Sequence, residues 1–307
     1  MSRRITRRTA LSMAAALPLA GAGGLGRAEA PMMGPGMSRF RRFRLGGFEV
    51  TTLLAATRTV PDPQSIFGMD VSGERFAEVS RAAHIPTDRA QFFFTPTVVN
   101  TGSELVLFDT GYGAEGITGA LGAAGYSPDQ VDVVVITHMH PDHIGGLMAG
   151  GAPTFANARY VTGAKEFDAW AAMDNQGFEA KVRPLAEKTT MIEDGARVAS
   201  GITAMAAFGH TPGHMVFLLE SEGQQLLVAA DFANHYVWSL AYPDWQVKFD
   251  MDDAQAAATR KRLLDMLASE RMPFVGYHMP WPGTGFVEAA GGRYRYVPTS
   301  YQLMLGG

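Results

Sequence analysis

From residue 98 onward, short apolar runs alternate with turns and helical stretches. "TVVNTG" and "ELVLFDTG" predict a hairpin that turns at Gly102-Ser103. "GITGALGAAGY" predicts a short Ala/Gly-rich helix, and "VDVVVIT" is apolar on both faces, as a central strand requires. "RYVTGAKEFDAW" predicts a strand followed by a helix start. "GITAMAAF", "MVFLLES" and "QQLLVAAD" form a second block of strands. The clearest helix covers 252–270, with Leu263, Leu264 and Leu267 on one face and Asp250 or Asp252 as its cap. "PFVGYH" then closes the core as a last strand. "LVLFDTG" and "LLVAADF" echo each other: both are apolar strands that end on an aspartate, at what should be one rim of a sheet.

The first hundred residues are less regular. "GGFEVTTLLAATRTV" predicts a strand pair feeding a loop. Residues 61–95 hold Pro61, Pro63 and Pro86, a short amphipathic piece at 76–83, and the run Phe92-Phe93-Phe94. This is a long excursion over the domain, and long excursions often serve as lids. His84 falls within it and reads as an ordinary polar residue. Residues 31–45, rich in Met, Gly and Arg, predict a flexible lead-in, which leaves 46–307 as one domain. Residues 1–30 have a basic start, an Ala/Leu-rich middle and a small-x-small end at Ala28-Glu29-Ala30. That is the layout of a cleavable export signal. Arg7-Arg8 before Thr9, Ala10 and Leu11 resembles the twin-arginine type, which implies a periplasmic or secreted protein exported already folded.

Composition sharpens this picture in three ways. The chain has 307 residues, 47% hydrophobic and 18% charged, enough to build a sizeable core. No run of 18 or more apolar residues follows the N-terminus, so no internal membrane span is expected. Removing 1–30 leaves 21 basic against 29 acidic side chains, a balance that repels phosphate backbones and argues against a nucleic-acid partner. Cysteine is absent, which excludes disulfides, thiol nucleophiles and cysteine metal ligands. A metal must then be held by imidazole and carboxylate.

The candidate chemistry is concentrated in "THMHPDHIGG", where three of the chain's eight histidines and an aspartate lie within six residues. His138 and His140 are two apart at the end of an extended run, a spacing that aims both rings to one face. Pro141 stops the extension, and Asp142 and His143 follow on the turn into a helix. Adjacent residues on a turn diverge, so this pair suits a second ion beside the first. His210 in "GHTPGH", Asp231 at the end of "LLVAAD" and His278 at the end of "PFVGYH" are further ligand candidates, each at a strand's C-terminal edge.

Together these motifs resemble, in order and spacing, those of the metallo-β-lactamase-fold hydrolases, over most of residues 45–295. The resemblance implies an α+β fold, a four-layer αββα sandwich with two metal ions on one edge. It implies that His138, His140 and His210 hold the first ion, that Asp142, His143 and His278 hold the second, and that Asp231 bridges them. Asp142 and Asp231 would be the catalytic carboxylates. Asp109 in "LFDTG" matches an aspartate that orients ligands from behind. His235 is a second candidate for that position, and His214 matches a structural histidine.

The implied reaction is hydrolysis of an ester-like bond by a hydroxide shared between the ions. Zinc suits the ligands best, and iron, manganese or cobalt also fit them. The layout most resembles the branch containing methyl parathion hydrolase and the quorum-quenching lactonases, so the expected partner is a small lactone, aryl ester or phosphotriester. That branch also allows a homodimer. Phe92, Phe93, Phe94 and Trp281 are the expected pocket aromatics. Rival readings are a β-lactamase-type amide hydrolase, a mononuclear-iron sulfur dioxygenase, and a metal-binding protein without turnover.

Overall fold

A computed structural model describes residues 31–305; residues 1–30, read above as an export signal, lie outside the described residues. Residues 31–37 carry no regular structure. The chain then runs through β1 (Phe40–Leu45), β2 (Phe48–Leu53), β3 (Ala56–Pro61), α1 (Gly73–Ala82) and β4 (Arg89–Phe94). Next come β5 (Thr97–Asn100), β6 (Leu105–Phe108), α2 (Ala114–Ala123), β7 (Val133–Ile136) and the single turn α3 (Pro141–Ile144). A small ribbon of β8 (Met148–Ala149) and β9 (Ala152–Pro153) leads to β10 (Arg159–Gly163), α4 (Ala164–Ala171), α5 (Gln176–Lys181) and β11 (Thr189–Ile192). The second half holds β12 (Arg197–Ala199), β13 (Ile202–Ala206), β14 (Met215–Ser221), β15 (Gln224–Ala230), α6 (Asp253–Glu270), β16 (Phe274–Gly276), β17 (Thr284–Ala290) and β18 (Arg293–Pro298).

Two seven-stranded sheets face each other, ordered β1-β2-β5-β6-β7-β10-β11 and β12-β13-β14-β15-β16-β17-β18. Strand alternation shows how they pack. Val133 and Val135 of β7 meet Phe217, Leu219 and Val228 of the opposite sheet. Val134 and Ile136 face away and pack with Ile117, Leu121 and Phe178 of the covering helices. On the far side Leu263, Leu264 and Leu267 of α6 cover Leu227, Ala229 and Phe274. Helix, sheet, sheet, helix is the αββα order, and β7 is apolar on both faces because both are covered.

The echo between the two aspartate-ended strands is a repeat in topology. β6 and β15 are each fourth of seven, each antiparallel to the strand before it and parallel to the strand after. Asp109 and Asp231 therefore emerge at the same rim.

Two expectations are corrected. The boundary at 46 falls too late: β1 pairs with β2 in unbroken antiparallel register from Phe40 to Leu45, with Phe43 and Leu45 turned inward and Arg44 outward. The strand of "PFVGYH" is not last, since β17 and β18 pair beside it around a Gly291-Gly292 turn. Of the two aspartates offered as the cap of α6, Asp252 serves, accepting from the Gln255 amide.

Residues 61–95 do overlie the rim. β3 and β4 form their own antiparallel ribbon, and α1 packs beneath it through Phe76 and Val79 onto Trp238 and Trp245. His84 is the left-handed residue that ends α1, with the Ile85 amide closing back on the Ser80 carbonyl. No described helix is long and apolar enough to cross a membrane.

Candidate metal centre

All seven predicted ligands meet at this rim. The ligand atoms of His138, His140 and His210 lie within 4.8 Å of one another, as do those of Asp142, His143 and His278. Asp231 sits between the two groups. Its Oδ2 is 3.4 Å from His210 Nε2 and 3.1 Å from His278 Nε2, and its Oδ1 is 3.4 Å from His143 Nε2. Local backbone chemistry sets this up. β7 ends at Ile136, His140 caps α3, and Pro141 at its first position turns Asp142 and His143 back toward the rim. Gly145 lets the turn close, because a Cβ there would stand 2.1 Å from the Tyr112 carbonyl oxygen.

Behind the rings, acceptors fix their orientation. Asp109 takes His143 Nδ1–H at 2.8 Å and the Thr137 amide at 2.9 Å. Asp250 takes His210 Nδ1–H at 2.9 Å, and the Phe93 carbonyl takes His278 Nδ1–H at 2.8 Å. His138 Nδ1 donates to Thr137 Oγ1 at 3.1 Å. Each of these four rings thus turns its Nε2 inward, as metal-binding histidines do. His143 Nε2, His210 Nε2 and Asp231 Oδ1 are buried without a hydrogen-bond partner. Unpaired buried polar atoms are costly, and imidazole nitrogens and carboxylate oxygens aimed at common points fit divalent cations.

Burial holds His138 well below the usual histidine value and His140 at about 3. On His143 and His278 burial is overridden, chiefly by Asp231, with Asp109 and Asp142 adding to it. His143 is driven well above its ordinary value and His278 up to about 10. Asp231 is held far below the carboxylate range against burial by His278 and His143. Loading a chelator-stripped chain must then displace protons from His143 and His278. Zinc affinity at the site these two rings share is expected to climb with pH, roughly tenfold per unit for each proton displaced and so up to about a hundredfold per unit between about pH 6 and pH 8, in competition with a chromophoric chelator. Uptake that ignores pH would contradict this charge arrangement.

Other predicted residues fall elsewhere. His235 does not reach Asp231. It stacks on Trp238 at 4.0 Å, and its Nδ1 accepts from the Val237 and Trp238 amides. Its neighbour Asn234 donates to Asp231 Oδ2 at 2.9 Å instead. A cavity of about 250 Å³ opens over the ligands, lined by Val60, Ile66, Phe92, Phe94 and Phe249 on one side and by His140, Asp142, Asp231 and His278 on the other. Phe93 and Trp281 are not among its walls. Successive residues of β4 alternate faces, so Phe92 and Phe94 are buried toward the site while Phe93 turns away and contributes only its carbonyl. His214 is structural, as read from the sequence: Nδ1–H binds the Ala207 carbonyl and Nε2 accepts the Asp231 amide.

Sequence reading missed Asp250, Asn234, Tyr277, whose hydroxyl donates to the Asp142 carbonyl at 2.6 Å, and Glu166. The charge of Asp250 and Glu166 beside helix starts was visible, but the direction each points was not.

A metallo-hydrolase is the class that this sandwich and its edge of convergent histidines and aspartates define. Residues 95–278 match the family model described as the Metallo-beta-lactamase superfamily, and the chain belongs to that family. Among curated relatives, an N-acyl homoserine lactonase of Bacillus cereus is 26% identical over 148 residues, 48% of this chain and 55% of that one. Another, from a Bacillus species, is 30% identical over 106 residues, 34% and 40% of the two chains. The match thus spans about half the length of these relatives, or less. Two solved structures share the fold at a TM-score of 0.79. AidC, a dizinc quorum-quenching lactonase, is 24% identical, with 86% of this chain and 98% of that one covered. The hydrolase AbOPH is 23% identical, with 87% and 100% covered.

Proposed function

We propose that the chain is a binuclear zinc hydrolase of small apolar esters, with lactones first among them and aryl esters and phosphotriesters next. The observation that carries this is Asp231, one carboxylate shared between two complete ligand triads. The lactonase relatives support a cyclic ester. When bound, a pair of such ions supplies hydroxide at neutral pH and draws charge from the oxygen of the bond to be broken.

The chain's own residues do the rest. Asp231 and the six other ligands fix where both charges sit. Phe92, Phe94, Phe249, Val60 and Ile66 bind an apolar group and keep water from it. Asp142 has the most exposed ligand carboxylate, at 13% of its side chain. It suits the role of accepting a proton from water and returning it to the departing alcohol oxygen.

The test is metal analysis of purified protein joined to a panel of lactones, aryl esters, phosphotriesters and β-lactams. Two zinc ions and ester or lactone turnover are expected. Activity on β-lactams alone, or a single iron with oxygen consumption, would defeat the reading. Phe92→Ala is expected to raise KM for aromatic or long-chain esters by about tenfold, the cost of roughly 1.4 kcal/mol of lost apolar contact. Phe93→Ala should leave the ranking of substrates unchanged. The reverse result would mean that β4 presents its other face.

A further inference from the structure

We infer that Glu166 is the positioning residue for one ion of the pair and not for the other, an assignment that rests on the two-ion reading above. Glu166 lies in the first turn of α4 and is fully buried. It touches no ligand side chain in any hydrogen bond; it holds the chain on either side of them. Oε1 accepts from the Met139 amide at 2.9 Å, and Met139 is the residue between His138 and His140. Oε2 accepts from Thr211 Oγ1 at 2.8 Å and from the Gly213 amide at 2.8 Å, just after His210. The first loop leaves β7 of one sheet, and the second joins β13 to β14 of the other. A single carboxylate therefore fastens together the two loops that supply His138, His140 and His210. The approach is close: a Cβ on Gly213 would come within 2.1 Å of the Glu166 amide nitrogen.

The remaining ligands are held by other groups, with Asp109 also reaching His138 through Thr137. His143 is held by Asp109, Asp142 through its carbonyl by Tyr277, and His278 by the Phe93 carbonyl. None of these bonds involves Glu166. Both carboxylate oxygens of Glu166 act as acceptors toward three donors, a pattern a neutral amide cannot copy. Glutamine has one acceptor oxygen, and its NH₂ must face at least one of the three donors.

Zinc or cobalt titration of the stripped protein, read by chelator competition and by the cobalt visible spectrum, tests this. Wild type should load in two steps. Glu166→Gln should weaken one step about 10- to 100-fold, as loss of an outer partner does, and leave the other within about twofold. Tyr277→Phe, which removes the hydroxyl that holds the Asp142 carbonyl, should weaken the opposite step. Thr211→Val removes one of the three bonds and should shift the same step as Glu166→Gln by less; it decides the matter if Glu166→Gln does not fold. In stripped Glu166→Gln, hydrogen exchange at the Met139 and Gly213 amides should quicken. Equal weakening of both steps, or none, in a folded variant overturns the assignment. A wild type that loads only one ion overturns the two-ion reading. Glu166 is then judged by whether its variant weakens that ion and frees those two amides.

Discussion

Asp231→Asn is expected to cost at least one metal ion and about a thousandfold or more in kcat, on the order of 4 kcal/mol of barrier. Among the described residues Asp231 is the carboxylate within reach of both triads, with His210 and His278 near Oδ2 and His143 near Oδ1. Asparagine keeps the shape but removes the charge, and it brings an NH₂ toward nitrogens that face the same point. His143 and His278 also lose the carboxylate that most raises their proton affinity. The check is metal content beside turnover on the best ester of the panel. Full occupancy with near-normal turnover would remove Asp231 from between the ions.

The ligand set was legible in the sequence because its signals are local. Histidines two apart before a proline, and polar residues ending apolar strands, mark a rim without knowledge of the rest of the fold. Even the echo of "LVLFDTG" and "LLVAADF" corresponds to matching central strands in the two sheets. The pocket was legible in part. A period of two along Phe92-Phe93-Phe94 already forbids all three from sharing a face, and the strand buries the outer two toward the site. Other parts depended on distant partners. Arginines made 40–45 look like lead-in, yet Phe43 and Leu45 alternate inward once β2 is there to pair with. His235 looked close to Asp231 along the chain, but the turn aims Asn234 at it and sends His235 onto Trp238. Buried acids beyond Asp109 were the hardest: Glu166 joins loops of both sheets and Asp250 reaches a ligand far away along the chain, and no local pattern gives either direction.

Arg260→Met should therefore damage the centre from a residue that no motif marks. Arg260 lies in α6, buried, with each of its three side-chain nitrogens hydrogen-bonded. Nε bonds the Phe232 carbonyl at 3.0 Å, Nη1 the Pro243 carbonyl at 2.7 Å and Nη2 Asp250 Oδ2 at 2.6 Å. It thereby ties down the segment between β15 and α6, which carries Asp231, Asn234, Phe249 and Asp250. Asp250 spends its other oxygen on His210, so the fork reaches a metal ligand through one intermediate. Methionine fills the space but leaves a buried carboxylate without its cation and two carbonyls without donors. Breaking a buried pair from one side costs about 3–5 kcal/mol, which in a domain of this size is a fall in Tm on the order of 10 °C. Arg260→Lys should recover only part of that loss, because one ammonium cannot span three acceptors set in a planar fork. Calorimetry of stripped and zinc-loaded protein separates the two effects. The stripped variant should melt early, and added zinc should raise its Tm by less than it raises that of wild type. A Tm within about 2 °C of wild type, or an undiminished zinc-induced rise, would break the link from Arg260 through Asp250 to His210.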